Sequence, residues 1–306
     1  MNKVYFRADA SQTIGYGHFI RSLALADMLR NDFECTIFTQ SPTPAQIRQA
    51  EGICPVKGLP DDDSRFGIFL DMLDGTETVV LDNYFYTSGY QRRIMEKGCR
   101  LVCIDDMHNL HYHADAVINH GFVRPDDFSC DAHTRLCLGP DWALLRRPFL
   151  NAVRTVRSSR ESMKVAVCFG GGDPLGLTGK FSRLLEGSPE VSEVRTVNGM
   201  SGGLTATEMA ELFTWCDAAL VSMSSVCLEA LACGARVAAG WYVDNQEEGY
   251  RNFTSRGLIY GLGDLSQGIP SGEETIRALE EAPDAGNLID GNAIRERFIR
   301  LFNTIQ

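Results

Sequence analysis

The chain has 306 residues, 44% hydrophobic and 23% charged, with 29 Lys and Arg against 40 Asp and Glu and a formal charge of −11. That length suits two domains or one large one, and the composition is globular, which excludes a disordered chain or a coiled coil. A pI near 5.1 argues against a general nucleic-acid or anionic-membrane binder, although local amides can still hold a phosphate.

From the first residues, Met1-Asn-Lys-Val-Tyr-Phe-Arg leads directly into a strand over residues 4–6 with no signal-peptide core. A turn rich in Ser, Thr and Gly follows. A helix over 17–30 then carries Ile20, Leu23, Ala24, Ala26 and Leu29 on one face. After a strand over 35–38, Thr43-Pro-Ala-Gln offers a capping box with Pro at the first helical position. Apolar runs at 78–81 and 101–104 read as buried parallel strands around a helix near 89–97, with weaker strands at 115–118 and 135–138.

The polar, Arg- and Ser-rich stretch 151–162 reads as a linker between a first domain, 1–150, and a second, 163–306. The pattern restarts with a strand at 163–169, a glycine loop and a helix over 175–185. Strands at 194–197, 218–221 and 237–239 alternate with helices at 205–215, 224–232 and 246–256, and 291–302 closes as a helix. Alternation of this kind predicts an α/β protein of two facing Rossmann-like domains, with its ligand in the cleft between them.

No apolar run approaches the ~20 residues of a membrane span. The ten cysteines are scattered, without a C-x-x-C pair, and several sit inside apolar runs as small hydrophobes. A reduced, cytoplasmic protein is the expectation.

Four turns carry candidate chemistry, each between a strand and a helix. In Ser11-Gln-Thr-Ile-Gly-Tyr-Gly-His18, Gly15 and Gly17 let the backbone approach a ligand, and His18 falls in the first helical turn. There the dipole disfavours its protonation, as suits a general base. Ile20 replaces the third glycine of a dinucleotide fingerprint and no Lys-Ser/Thr follows, which demotes a dehydrogenase or a P-loop enzyme. Gly170, Gly171 and Gly172, before Asp173, could turn a row of amides toward a diphosphate, or Asp173 could simply cap the helix. Ser222, Ser224 and Ser225 begin another helix, with Glu229 one turn on, where a carboxylate could hold a ribose diol or merely serve as a helix former. Asp82, Tyr84 and Asp106 follow strands and are substrate contacts or turn formers, and Asn245 and Gln246 follow another. His108, His111 and His113 have a spacing that fits no common zinc pattern, so a surface loop is expected there and no metal.

Taken in order, F-R-A-D-A-S-Q-T-I-G-Y-G-H at 6–18, L-D-N-Y at 81–84, I-D-D at 104–106, L-G-P-D-W-A-L-L-R at 138–146, F-G-G-G-D at 169–173, S-M-S-S-V-C-L-E-A at 222–230 and Y-V-D-N-Q at 242–246 resemble the UDP-sugar hydrolases of pseudaminic acid biosynthesis. That family is similar to GT-B glycosyltransferases. The resemblance implies a cofactor-free, metal-independent hydrolysis of a UDP-linked diacetamido-trideoxy sugar with His18 as base. It also implies Arg7, Gly15, Gly17, Tyr84, Asp106, Asn245 and Gln246 around the sugar, and the second-domain turns on UDP with Glu229 on the ribose. A glycosyltransferase and a non-catalytic UDP-sugar-binding protein are the rival readings; oligomeric state is left open.

Overall fold

A computed structural model describes residues 1–11, 14–152, 162–197, 204–286 and 288–305. The chain divides into two compact units, 1–146 with 292–306, and 147–291. Most of the expected linker, 153–161, lies outside the described residues.

The first unit is built on β1 (Lys3–Arg7), β2 (Glu34–Gln40), β3 (Val56–Leu59), β4 (Thr78–Leu81), β5 (Arg100–Ile104), β6 (His111–Tyr112), β7 (Ala116–Asn119), β8 (Ser129–Cys130) and β9 (Arg135–Leu138). Seven of them form one parallel sheet in the order β3-β2-β1-β4-β5-β7-β9, and β6 pairs with β8. Both β4 and β7 are buried at every residue, because helices cover both faces of such a sheet. Those helices include α1 (Gly17–Leu29), α2 (Pro44–Ala50), α3 (Ser64–Asp71) and α4 (Ser88–Glu96). The Thr43 capping box is formed. One core packs Phe38, Phe69, Val79, Leu81, Ile94 and Leu101.

The second unit opens with α5 (Arg147–Leu150) and continues through β10 (Met163–Cys168), α6 (Leu177–Leu185), β11 (Val191–Thr196), α7 (Ala206–Trp215), β12 (Ala218–Ser222), α8 (Ser225–Ala232), β13 (Arg236–Trp241), α9 (Asp244–Ser255), β14 (Tyr260–Asp264) and α10 (Gly272–Glu281). Its parallel sheet runs β11-β10-β12-β13-β14 over a core of Val165, Val167, Phe169, Phe181, Leu220 and Ala238.

Two boundaries differ from the sequence expectation. Phe149 is buried and α5 packs on α7 and α8, so the second unit begins at 147 rather than after a linker. The final helix, α11 (Gly291–Thr304), returns to the first unit: Phe302 meets Phe33 edge-on at 6.0 Å, and Phe298 meets Trp142 at 5.3 Å. Its apolar stripe of Ile294, Phe298, Leu301 and Phe302 is fully buried, which decides its allegiance.

Strand order reverses between β1 and β4 in the first sheet and between β10 and β12 in the second. In open parallel sheets the crevice beyond the strand ends at such a reversal is where ligands bind. Each candidate turn below follows one of these four strands or an immediate neighbour.

Candidate active site

At the first reversal, the loops leaving β1 and β4 are tied by one side chain. Asn83 accepts the Asp9 amide at 2.6 Å and returns its own amide to the Asp9 carbonyl at 3.1 Å. The Asp82 amide donates to the Arg7 carbonyl at 3.1 Å, which prolongs the ladder and sets Asp82 beside α1.

Helix α1 begins at Gly17, and among the described residues no side chain caps its first turn. Gly15 reaches it through a positive φ of 84° and donates its amide to the Ser11 carbonyl. Among the described residues, nothing lies within 4 Å of where a Cβ would stand on either Gly15 or Gly17. His18 and Arg21 are three apart on one face of α1, and both turn to Asp82.

Asp82 is fully buried. Arg21 grips it with two bonds, Nε to Oδ2 at 2.7 Å and Nη2 to Oδ1 at 2.6 Å, while Ser22 donates at 3.3 Å. Burial pushes the Asp82 carboxyl up, but Arg21 and His18 outweigh it and hold it below the usual carboxylate range. Burial likewise opposes the Arg21 charge, yet Asp106 and Asp82 keep it firmly protonated. An ionised carboxylate can only accept, so the 2.8 Å contact from His18 Nδ1 places the imidazole proton on Nδ1; Arg21 Nη2, 3.2 Å from the same nitrogen, donates to Asp82 Oδ1 at the shorter 2.6 Å. Among the described residues His18 Nε2 has no hydrogen-bond partner, which leaves its lone pair available.

Tyr84 and Asp106 complete this cluster. The Tyr84 ring stands edge-on to His18 at 4.7 Å, and its hydroxyl donates to Asp106 Oδ2 at 2.7 Å. Asp106 Oδ1 pairs with Arg21 Nη1 at 2.7 Å. Tyr84 remains 49% exposed, so it can still meet a ligand. His120, at the end of β7, also faces this charge network. Burial and then Arg21 push its pKa down to about 4, so it stays neutral near pH 7.

Arg7 requires a correction. It is wholly buried, pairs with Asp9 and lies over the Tyr86 ring at 5.8 Å, so it cannot reach a substrate. Asp9 also accepts the Gln40 amide and pairs with Arg65, making Arg7 one member of a structural knot beneath the loops.

In the second unit the two reversal turns differ. Asp173 is 7% exposed and accepts the Leu177 and Thr178 amides at 2.8 and 2.9 Å. It is therefore a cap for α6 and no phosphate ligand: a second anion at that helix end would face its carboxylate. Gly170, with φ 89°, Gly171 and Gly172 carry no hydrogen bond on their amides among the described residues, and no atom comes closer than 4.0 Å to where their Cβ atoms would be.

By contrast, α8 has no side-chain cap on its Ser224 N-cap. Ser222, buried, lies 3.0 Å from the Ser224 hydroxyl, and Ser225 begins the helix. The positive end of α8 is thus open to an anion. Glu229 is buried one turn further along. Tyr242 binds this region together, its hydroxyl donating to the Phe169 carbonyl at 3.0 Å and its amide to Gln246 Oε1 at 3.2 Å. Gln246 is therefore partly committed to structure, and Asn245 is exposed beside it on α9.

Asp82 and Arg21 are the parts that sequence reasoning placed wrongly or missed. The sequence offers Asp82 as a substrate contact or turn former, whereas in the structure it orients the histidine. Arg21 had one available signal: a cation on the apolar face of a buried helix, one turn after His18.

No family model matches this chain. It is 24% identical over 274 residues to the UDP-2,4-diacetamido-2,4,6-trideoxy-beta-L-altropyranose hydrolase of Campylobacter jejuni, covering 80% of this chain and 93% of that one. It is 27% identical over 190 residues to an uncharacterized protein of Methanocaldococcus jannaschii, covering 58% of this chain and 38% of the relative. Among solved structures it is similar to Arabidopsis thaliana UGT89C1 complexed with UDP-L-rhamnose, at TM-score 0.62 and 12% identity over 100% of this chain and 95% of that one. The spinosyn forosaminyltransferase SpnP matches at TM-score 0.61 and 13% identity over 99% and 94%. Acinetobacter baumannii MurG matches at TM-score 0.56 and 10% identity over 98% and 94%. The fold is that of the GT-B glycosyltransferases, α/β with two Rossmann-like units.

Proposed function

Starting from a GT-B fold related over four-fifths of its length to a UDP-sugar hydrolase, we propose that this chain hydrolyses a UDP-linked diacetamido-trideoxy sugar at its anomeric carbon. UDP and the free sugar leave, the sugar serving pseudaminic acid-type nonulosonic acid synthesis. The observation that carries the reading is the His18–Asp82–Arg21 relay, with an unengaged Nε2 at the β1/β4 reversal.

In this mechanism His18 Nε2 takes a proton from water while the water oxygen bonds to the anomeric carbon. The bond from that carbon to the β-phosphate oxygen breaks, with inversion. Asp82 stabilises the imidazolium that forms, and Arg21 keeps Asp82 ionised and fixed. UDP departs as an anion and needs no strong acid. Its charge meets the amides at the open start of α8 and those of Gly170–Gly172, held ready before the reaction. Glu229 takes the ribose diol, Tyr84 and Asn245 the sugar. No metal enters, so turnover persists in chelator.

The C. jejuni relative supports water as acceptor; the glycosyltransferase likeness extends only to the fold. Oxygen-18 water decides between them. Release of UDP without an acceptor, with the label in the sugar, is the expected result. Release only when an acceptor extract is supplied would make the chain a transferase. His18→Ala should lower kcat by about 10²–10⁴ while UDP affinity, measured by calorimetry, is retained.

A further inference from the structure

Away from the His18 cluster, the short β6–β8 pair assembles two imidazoles and a carboxylate. Tyr112 is buried in the core, so strand alternation sends His111 and His113 to the opposite face. The paired backbones fix that geometry: the Asp131 amide donates to the Tyr112 carbonyl at 3.2 Å, and buried Gln91 accepts the His113 amide at 2.9 Å. Asp131 reaches both rings, Oδ1 at 3.1 Å from His111 Nε2 and Oδ2 at 3.1 Å from His113 Nδ1. All three ligand atoms lie within 4.8 Å of one another. His108, by contrast, packs its ring against Phe128.

We propose that His111, His113 and Asp131 bind one divalent transition-metal ion of the zinc class, which clamps β6 to β8. Bonds of about 2.0–2.1 Å to nitrogen and oxygen at a tetrahedral centre put ligand atoms roughly 3.3 Å apart, close to the 3.1 Å between each ring nitrogen and its carboxylate oxygen. His111 is ready for the role: its Nδ1 lies 2.8 Å from the Ser129 hydroxyl, and donating that proton leaves the Nε2 lone pair for the ion. His113 would ligate through Nδ1 and carry its proton on Nε2, which requires exposed Arg92, 3.5 Å away, to swing aside. Two imidazoles and one carboxylate favour Zn²⁺, Co²⁺ or Ni²⁺ over the oxygen-seeking Mg²⁺ and Ca²⁺. The side chains are part-exposed, so water fills the remaining position. The ion is structural and takes no part in the hydrolysis proposed above.

The test uses the full chain, stripped with chelator and titrated with Co²⁺ in the absence of any nucleotide sugar. Expected is uptake of one equivalent, visible d–d absorption without a thiolate-to-cobalt charge-transfer band, and two paramagnetically shifted imidazole N–H resonances. Zn²⁺ should displace the cobalt and raise the thermal midpoint by a few degrees. His113→Gln and Asp131→Asn should each weaken uptake at least tenfold; both keep a hydrogen-bonding group in place, so the fold survives. No uptake, a thiolate band from one of the ten cysteines, or uptake unchanged in both variants overturns the proposal. The cobalt spectrum of the wild-type chain decides the matter even if a variant fails to fold.

Discussion

Asp82 serves two masters, and its removal should show both. Asp82→Asn leaves the His18 ring free to choose the wrong tautomer and strips Arg21 of a buried partner. UDP release should fall by about 10²-fold or more, with KM little changed. Urea unfolding should show a loss of about 3–5 kcal/mol from the broken buried pair. A loss of stability without a loss of turnover would remove Asp82 from the mechanism. His120 makes a separate prediction about pH. Its folded pKa is depressed to about 4 against an ordinary 6.5, so the unfolded chain takes up the proton first as pH falls. Stability contributed by neutral His120 is therefore complete above about pH 6.5 and drains away down to about pH 4, at about 1 kcal/mol per pH unit at the steepest. His120→Gln should flatten that part of the urea-midpoint profile. The place of Asp82 could not be read from sequence: its partners Arg21 and His18, 61 and 64 positions away, meet it only because β1 and β4 are neighbours in the sheet.

For whole elements, legibility followed burial on both sides. The continuous apolar runs of β4, β5 and β12 announce themselves, because a parallel strand between two helical layers has no polar face. Strand β14, Tyr-Gly-Leu-Gly-Asp, is half-buried along its whole length and carries two glycines, so its pattern is that of a loop. Short β3 has two exposed residues in the middle, and β6 and β8 have two residues each, too few for any period. Helix α10 had a readable start, the Ser271–Glu274 capping box, but a single stripe of buried positions behind it. At the glycine turn, location was legible and division of labour was not: the tripeptide is open, whereas Asp173 satisfies the helix beside it. A pair of variants separates backbone from space. Gly170→Ala forces a side chain into φ 89° and should lower stability by about 1–2 kcal/mol. Gly171→Ala has an ordinary φ and open surroundings, and should leave stability unchanged. Both should weaken UDP binding by about tenfold in a calorimetric titration, since each puts a methyl group or a re-aimed amide at the turn proposed to hold the diphosphate.

Across the whole molecule, the first unit is discontinuous in sequence, and α11 is what completes it. Where the chain passes back toward that unit, Gly291 lies against the Leu150 carbonyl so tightly that no side chain would fit. Deleting 292–306 would bare Phe33 and Trp142 and discard Phe298, Leu301 and Phe302 from their burial. At about 1.5–3 kcal/mol for each of those three side chains, the loss is about 4.5–9 kcal/mol, comparable with the net stability of a domain. The truncated chain should lose the unfolding transition of the first unit and keep that of the second, and a peptide of 292–305 added in trans should restore it. An independently stable 1–146 fragment would show that α11 merely decorates the sheet.

That arrangement also sets a timetable. During synthesis the seven strands of the first sheet are made before any of the second unit, yet the helix that seals them is made after it. At about 5–20 residues per second, roughly 145 intervening residues take about 7–30 s to translate. Throughout that interval the apolar groove awaiting α11 is bare, and the second unit, contiguous in sequence, can finish folding ahead of the one that precedes it. The nascent first sheet is thus a natural client for a holdase on the ribosome, and slowing translation should increase its aggregation where a faster ribosome would shelter it.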